Sequence, residues 1–360
     1  MDVKSEVCSF DNLYKAMRHC KQNVMWKDSV AGFVKNGLAN IYRLQSSLED
    51  DTYKIDRYTH FKVYEPKERD IVSTRIKDRV FQRSFCANYF YEQMTKSFIY
   101  DNVACQIGKG NEFGRKRLVS HLQRFYRKHG TDGWVLKIDI KNFFGSTPHS
   151  LALKAVTDHV SNPWAVKMVK QVIDSYNHGE DPEVGMGLGS EMTQLIQLAV
   201  LNELDHYIKE RLRIKHYIRY NDDMILIHED KDYLKECKKV IAKWLSDHAL
   251  RIHPKKTQLF KVTQSIRFLG FRYRLTDTGK VIMTLLPEKV AHERRKLTRL
   301  VAKADEGVLT RDDVDVCYQS WKAYAGNHHH PGSVGKKAHR HTHNLILKMD
   351  QHYKNLWKEK

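Results

Sequence analysis

Cysteine is scarce and scattered: Cys8, Cys20, Cys86, Cys105, Cys237 and Cys317 are the six present, and no two form a C-x-x-C pair. That spacing argues against a disulfide framework and a zinc ribbon, so reduced thiols and a cytoplasmic location are expected. No run of about eighteen apolar residues occurs, and the N-terminus has no basic-then-apolar order. Neither a membrane span nor a signal peptide is expected. Low-complexity linkers and internal repeats are also missing, so the subdomains should pack together. Acidic residues are in deficit, 43 against 62 Lys+Arg, which leaves a net charge of +19. A surplus of this size implies a polyanionic partner, and nucleic acid fits best. With 41% hydrophobic and 29% charged residues over 360 positions, the chain is an ordinary globular one with room for two or three subdomains.

Residues 9 to 48 carry apolar side chains at helical spacing, Leu38, Ile41, Leu44 and Leu48 being the clearest set, with Ser9 or Asp11 as cap. Alternation with β-branched residues from Phe61 to Thr74 predicts strands joined by a charged turn. A helical pattern returns over 78 to 100. The turn Thr131-Asp132-Gly133 precedes a strand from Trp134 to Ile140, and helices follow to about Asn177. A glycine-rich bend from Val184 to Gly189 opens an apolar helix, Leu195 to Leu204. Two strands flank Asn221-Asp222-Asp223, a helix covers Lys231 to Leu250, and strands are predicted at Thr257 to Phe260 and Phe268 to Tyr273. From Pro287 the chain reads as helical and basic.

Two apolar strands meeting at Asn221-Asp222 make a β-hairpin, and Asn-Asp is ordinary turn chemistry. A further carboxylate, Asp139, lies in an otherwise apolar strand among Val135, Leu136, Ile138 and Ile140. A carboxylate there is costly unless paired or metal-bound. Three carboxylates converging on a sheet would suit two Mg²⁺ ions about 3.5–4 Å apart, with Mn²⁺ as a substitute, for nucleotidyl transfer.

Tyr220-Asn221-Asp222-Asp223 resembles the Y-x-D-D motif of reverse transcriptases, and Lys137-Ile138-Asp139-Ile140-Lys141-Asn142-Phe143-Phe144 resembles their first catalytic-aspartate motif. The resemblance runs in order from about residue 61 to 273. It implies an α+β right-hand polymerase with an antiparallel-sheet palm, fingers and an α-helical thumb. The implied domains are an N-terminal helical extension over 1–60, fingers and palm over 61–280, and a basic helical thumb over 281–360. Carried over by position, Asp139, Asp222 and Asp223 would be the metal ligands and catalytic carboxylates. Phe144 falls where the family has its steric gate against a 2′-hydroxyl, an aromatic core residue being the other reading.

Gly187-Leu188-Gly189-Ser190-Glu191-Met192-Thr193-Gln194 resembles the template-handling motif, in which Gly189, Thr193 and Gln194 would lie near the nucleotide. It departs from the common Q-G-x-x-x-S-P form and is similar to the variant of diversity-generating retroelement enzymes, except that Thr193 replaces Ser. Pro66-Lys67-Glu68-Arg69 resembles the fingers segment whose cations grip the incoming triphosphate, implicating Lys67 and Arg69. A solvated charged turn is the competing reading. His253-Pro254-Lys255-Lys256-Thr257 resembles the motif whose lysine protonates leaving pyrophosphate, and Lys256 is chosen over Lys255. Phe268-Leu269-Gly270 resembles the primer grip.

Gly108-Lys109-Gly110 lacks the spacing of a P-loop. The histidines at 328–330, 339, 341 and 343 sit among Pro, Gly and Lys and read as a basic loop rather than a zinc site. Arg294, Arg295, Lys296, Arg299 and Lys303 place cations along a helix, either as a solvated face or as a surface tracking duplex phosphates. Trp321 and Tyr324 read as thumb core.

The resemblance implies RNA-directed DNA polymerisation with an RNA template and a DNA product. Tyr220 and Phe144 favour DNA over RNA synthesis. The 87 residues after Tyr273 suit a thumb and not an added endonuclease domain, and the Val-Thr-Gly typical of retron thumbs does not occur. A diversity-generating retroelement, with a small basic accessory protein, is the first biological reading. An antiphage-defence enzyme working with a dedicated non-coding RNA is the alternative, and a catalytically idle RNA-binding scaffold is a further one. No membrane partner is expected.

Overall fold

A computed structural model describes residues 2–64, 68–176, 181–187, 189–326 and 340–358. It opens with four helices, α1 (Val3–Cys8), α2 (Phe10–Cys20), α3 (Asp28–Lys35) and α4 (Gly37–Glu49). Asp2 and Ser9 cap the first two by accepting from the amides of Ser5 and Asn12. Ile41, Leu44 and Leu48 form the buried stripe of α4, but Leu38 is 63% exposed. At 100° per residue Leu38 lies about 90° round the helix from the centre of that stripe.

Strands β1 (Thr59–Val63) and β2 (Arg69–Ser73) pair antiparallel, Val63 opposite Arg69. Helix α5 (Ile76–Phe85) continues through a π-helical turn at Cys86–Phe90 into α6 (Tyr91–Thr95), and α7 (Asn111–His129) follows. Leu118, Leu122 and Phe125 of α7 recur at i, i+4 and i+7 and are fully buried.

The next stretch holds β3 (Trp134–Asp139), α8 (Phe143–Ser146), α9 (His149–Thr157), α10 (Pro163–Asp174), α11 (Glu191–Val200), α12 (Asn202–His206), β4 (His216–Tyr220), β5 (Asp223–His228), α13 (Lys231–Asp247) and β6 (Gln258–Lys261). The strands form an antiparallel sheet in the order β4-β5-β3-β6. The predicted helix over 195–204 therefore begins four residues earlier, at Glu191, and breaks at Leu201 before α12.

Period-two alternation divides this sheet between two cores. Leu136, Ile138, Tyr217, Met224 and Leu226 face a large core that includes the N-terminal helices as well as α9 to α11 and α13. Val135, Ile218, Ile225 and Ile227 face a second core shared with α7 and a three-stranded sheet, β7 (Ile266–Phe268), β8 (Phe271–Leu275) and β9 (Val281–Leu285). Strand β9 is absent from the sequence reading, although Val281, Met283 and Leu285 alternate inward. Helices α14 (Pro287–Asp305), α15 (Arg311–Gly326) and α16 (Arg340–Lys358) close around Leu297, Val301, Val314, Tyr318, Met349 and Tyr353. No helix among the described residues is long and apolar enough to cross a membrane.

Candidate active site

Odd-numbered residues of β3 and β5 point away from the large core, and the register sets Asp139 directly opposite Asp223. Like charges in that relation repel across a sheet. The two-residue turn Asn221-Asp222 closes the β4–β5 hairpin, with Asn221 at φ +52°, a left-handed conformation that Asn tolerates. Burial, and then the neighbouring charge of Asp139, pushes the Asp222 carboxyl above its ordinary range. Burial pushes Asp223 up to about 6 against the opposing pull of Lys137.

Two lysines relieve the crowding. Lys256 Nζ donates to both carboxylate oxygens of Asp139, at 2.8 and 3.0 Å. Lys137 Nζ donates to Asp223 Oδ2 at 2.8 Å and to the Arg267 carbonyl at 2.6 Å. Asp223 Oδ1 is buried without a hydrogen-bond partner. Oxygen donors with uncompensated negative charge suit a hard divalent cation. As the side chains stand, no three His, Cys, Asp or Glu groups among the described residues are gathered closely enough to hold one, because two of the carboxylates are drawn onto lysine.

Phe144 is the second residue of α8, the short helix after β3, half-buried against the large core, its ring 6.0 Å from that of Phe143. Its carbonyl accepts from Met186 N at 2.7 Å, which ties it to the glycine-rich segment. Gly189 there takes φ +120°, a conformation that strains other residues. Thr193 is buried, its hydroxyl 2.7 Å from the Gly187 carbonyl and 3.1 Å from that of Ser190, whereas Gln194 is part-exposed. Phe268 lies 2% exposed in the second core. Leu269 and Gly270, at φ +46° and +85°, form the tight turn between β7 and β8. The left-handed φ of Gly270 favours glycine there, whereas the nearest atom a Cβ would meet, Lys289 Nζ at 2.6 Å, is the movable end of a flexible side chain. Arg69 opens β2. Lys67 and the histidines at 328–330 and 339 lie outside the described residues.

The family Reverse transcriptase (RNA-dependent DNA polymerase) matches residues 74–273, more than half of the chain and the span that carries this carboxylate cluster. This chain belongs to the reverse transcriptase family. Its class of reaction is RNA-directed DNA polymerisation, a nucleotidyl transfer. Reverse transcriptase domains in general depend on divalent metal and bind RNA templates. The enzyme is 23% identical over 296 residues to Protein YkfC of Escherichia coli (strain K12), covering 67% of this chain and 74% of the relative.

Among solved structures, it matches telomerase from Candida albicans in complex with a fragment of telomeric RNA, with TM-score 0.54, 11% identity and coverage of 85% of this chain and 55% of that one. Apo telomerase from Candida tropicalis, truncated from its C-terminal domain, matches with TM-score 0.47 and 12% identity over 68% of this chain and 60% of that one. The chain thus spans between half and two thirds of these telomerases. The likeness to the Candida albicans protein is one of fold, a right-hand polymerase built of helices and antiparallel sheet.

Two parts of the reverse transcriptase site escaped the sequence reading. Lys137 is a lone cation two residues before Asp139 on the same strand face, and that period-two relation was the available signal. The second is the pair Arg219 and Asp205, both 0% exposed, for which a cation in the apolar strand Tyr217-Ile218-Arg219 was a weaker signal. Arg219 donates to Asp205 through Nε at 2.8 and 3.0 Å and through Nη2 at 2.6 Å. It also donates to the carbonyls of Leu198 in α11 and Asn221 in the aspartate turn, each at 3.0 Å.

Proposed function

We propose that this reverse transcriptase extends a primer 3′-hydroxyl with dNTPs through Asp139, Asp222 and Asp223, which would hold two Mg²⁺ ions, or Mn²⁺ in their place. The observation that carries the reading is the opposition of Asp139 and Asp223 across a sheet, with Asp222 in the adjoining turn. When bound, such ions neutralise developing phosphate charge and lower the pKa of the attacking hydroxyl. In the reaction a 3′-oxygen to α-phosphorus bond forms and the bond to pyrophosphate breaks. Lys256, whose Nζ already reaches the cluster, supplies a proton to the departing pyrophosphate. Phe144 packs beneath the deoxyribose and rejects a 2′-hydroxyl. Lys67 and Arg69 grip the triphosphate, and Gly189, Thr193 and Gln194 shape the nucleotide pocket, Thr193 by bracing its loop. The turn at Phe268-Leu269-Gly270 holds the primer end. The domains are assigned as in the sequence reading, 1–60, 61–280 and 281–360.

The biological setting we favour is a bacterial or phage diversity-generating retroelement, on the strength of the Leu188-Gly189 and Thr193-Gln194 pattern. The alternative is a defence enzyme paired with a dedicated non-coding RNA, since Thr193 departs from the Ser of the retroelement pattern. Primer extension on a mixed-sequence RNA template with Mg²⁺, followed by product sequencing, tests both levels. DNA made by the wild type and not by Asp222→Ala supports the site, and product from Asp222→Ala refutes it. Errors concentrated opposite template adenines support the retroelement setting; uniform errors oppose it.

A further inference from the structure

Lys137 is tied at both ends of a gap that the reaction must span. Its Nζ bridges the catalytic-turn carboxylate, Asp223 Oδ2, and the backbone of β7 at Arg267, one residue before the hairpin assigned to the primer end. The side chain is 16% exposed, against 45% for Lys256. The two lysines therefore differ in what displacing them would cost. Lys256 hydrogen-bonds through Nζ to Asp139 and, being half-exposed, can swing into solvent. Lys137 would leave the Arg267 carbonyl and an already crowded Asp223 without a partner. On the far side, Arg267 Nη1 pairs with Glu288 Oε1 at 2.8 Å in the first turn of α14. A continuous path thus runs from the aspartate turn through Lys137 and Arg267 to the last three helices.

We propose that Lys137 is a positioning residue, which sets the separation between the primer terminus and the aspartate turn by bracing the β7–β8 hairpin against Asp223. This rests on the polymerase reading above. By fixing Oδ2, it also leaves Oδ1, buried and without a hydrogen-bond partner, as the Asp223 oxygen with its lone pairs unused. A misplacement of about 1 Å between reacting groups costs on the order of 10²-fold in rate, so a strut here acts on kcat. Removing its charge makes the carboxylate cluster more negative, which favours cation binding.

The test compares wild type with Lys137→Met, Lys137→Arg and a surface control, Lys239→Met. A 2-aminopurine at the primer 3′-end, read in EDTA, reports the terminus without metal or turnover, and Mn²⁺ affinity is titrated separately by electron paramagnetic resonance. Lys137→Met is expected to shift the terminal fluorescence, to bind Mn²⁺ at least as tightly as wild type, and to lose about 10²-fold in kcat with dNTP KM within about twofold. Lys137→Arg, which keeps both donations, should recover at least about tenfold of that loss. Unchanged fluorescence and kcat in Lys137→Met would overturn the proposal, as would Mn²⁺ affinity lost together with turnover, the mark of a collapsed site. A wild type that extends no primer under any condition would instead refute the underlying polymerase reading.

Discussion

Replacing Asp205 of α12 with leucine should strongly destabilise this enzyme, because Asp205 is the buried partner of Arg219 in the hairpin strand β4. Asp205 and Arg219 are both 0% exposed, and Asp205 also accepts from Tyr217 Oη at 2.6 Å. Deleting one member of a buried pair leaves the other charge uncompensated, which costs about 3–5 kcal/mol. The orphaned Tyr217 hydroxyl adds about 1 kcal/mol. The single variant Asp205→Leu is therefore expected to lose about 4–6 kcal/mol, a large share of the roughly 5–15 kcal/mol that holds a typical domain folded. Arg219→Met should lose about 3–5 kcal/mol for the mirror-image reason. The double variant removes both charges together and should lie within about 2 kcal/mol of wild type, a coupling energy of several kcal/mol. Urea denaturation of the four proteins, with m-values checked for constancy, closes the cycle. The double variant should nevertheless extend primers poorly, because the carbonyls of Asn221 and Leu198 have lost their donor. Additive losses, with the double variant the least stable of the four, would refute the reasoning.

Stability should fall with acid in a window set by His216. Burial, and then the nearby His121, push its imidazole down to about 4, whereas the unfolded chain protonates it near pH 6.5. The unfolded state thus binds more protons between those values, so this contribution is full above about pH 6.5 and is lost as pH falls toward 4. Asp101 adds a second loss at lower pH, because His121 and Lys209 hold its carboxyl down despite burial. His216→Gln should flatten the urea midpoint between pH 6.5 and 4, and an unchanged slope would remove His216 as the cause. Phe144→Ala should lower discrimination of dNTP over rNTP by at least about tenfold in single-nucleotide incorporation. Arg295→Ala with Lys303→Ala, both on exposed positions of α14, should reduce the slope of log affinity against log salt for a primer–template duplex by about 1.8. A parallel loss at every salt concentration would place these cations off the nucleic acid.

Much of the site was legible because it depends on short-range rules. Strand alternation set Asp139 apart as a carboxylate in an apolar strand, and Asn221-Asp222 announced its own turn, whereas Lys137, on the same face as Asp139, was passed over. Other features were out of reach of local pattern. The burial of Phe268 is one: the tight turn after it leaves Phe268 in the second core with Ile266, Phe271 and Tyr273, and Leu269 partly buried against the same core. Thr193 looked free to touch a nucleotide, yet its hydroxyl is taken up by the fold of its own loop. Strand β9, by contrast, carried a local signal in the alternation of Val281, Met283 and Leu285 that the sequence reading passed over.

The amino-acid sequence by itself determined the excess of positive charge that suits a polyanionic partner, the hairpin that carries Asp222 and Asp223, and the setting of Asp139 as a carboxylate in an apolar strand. Charge sums, turn propensity and strand alternation are properties of neighbours in the chain, and they survive without a tertiary structure. What only the tertiary structure decided is how the charges balance. That Lys256 rather than Lys255 reaches Asp139, that Lys137 joins Asp223 to β7, and that Arg219 is buried against Asp205 all depend on segments distant in the chain meeting in a low-dielectric interior. There an unpaired charge costs several kcal/mol, so the partners a folded chain supplies, and not the residue types alone, set what each carboxylate can do.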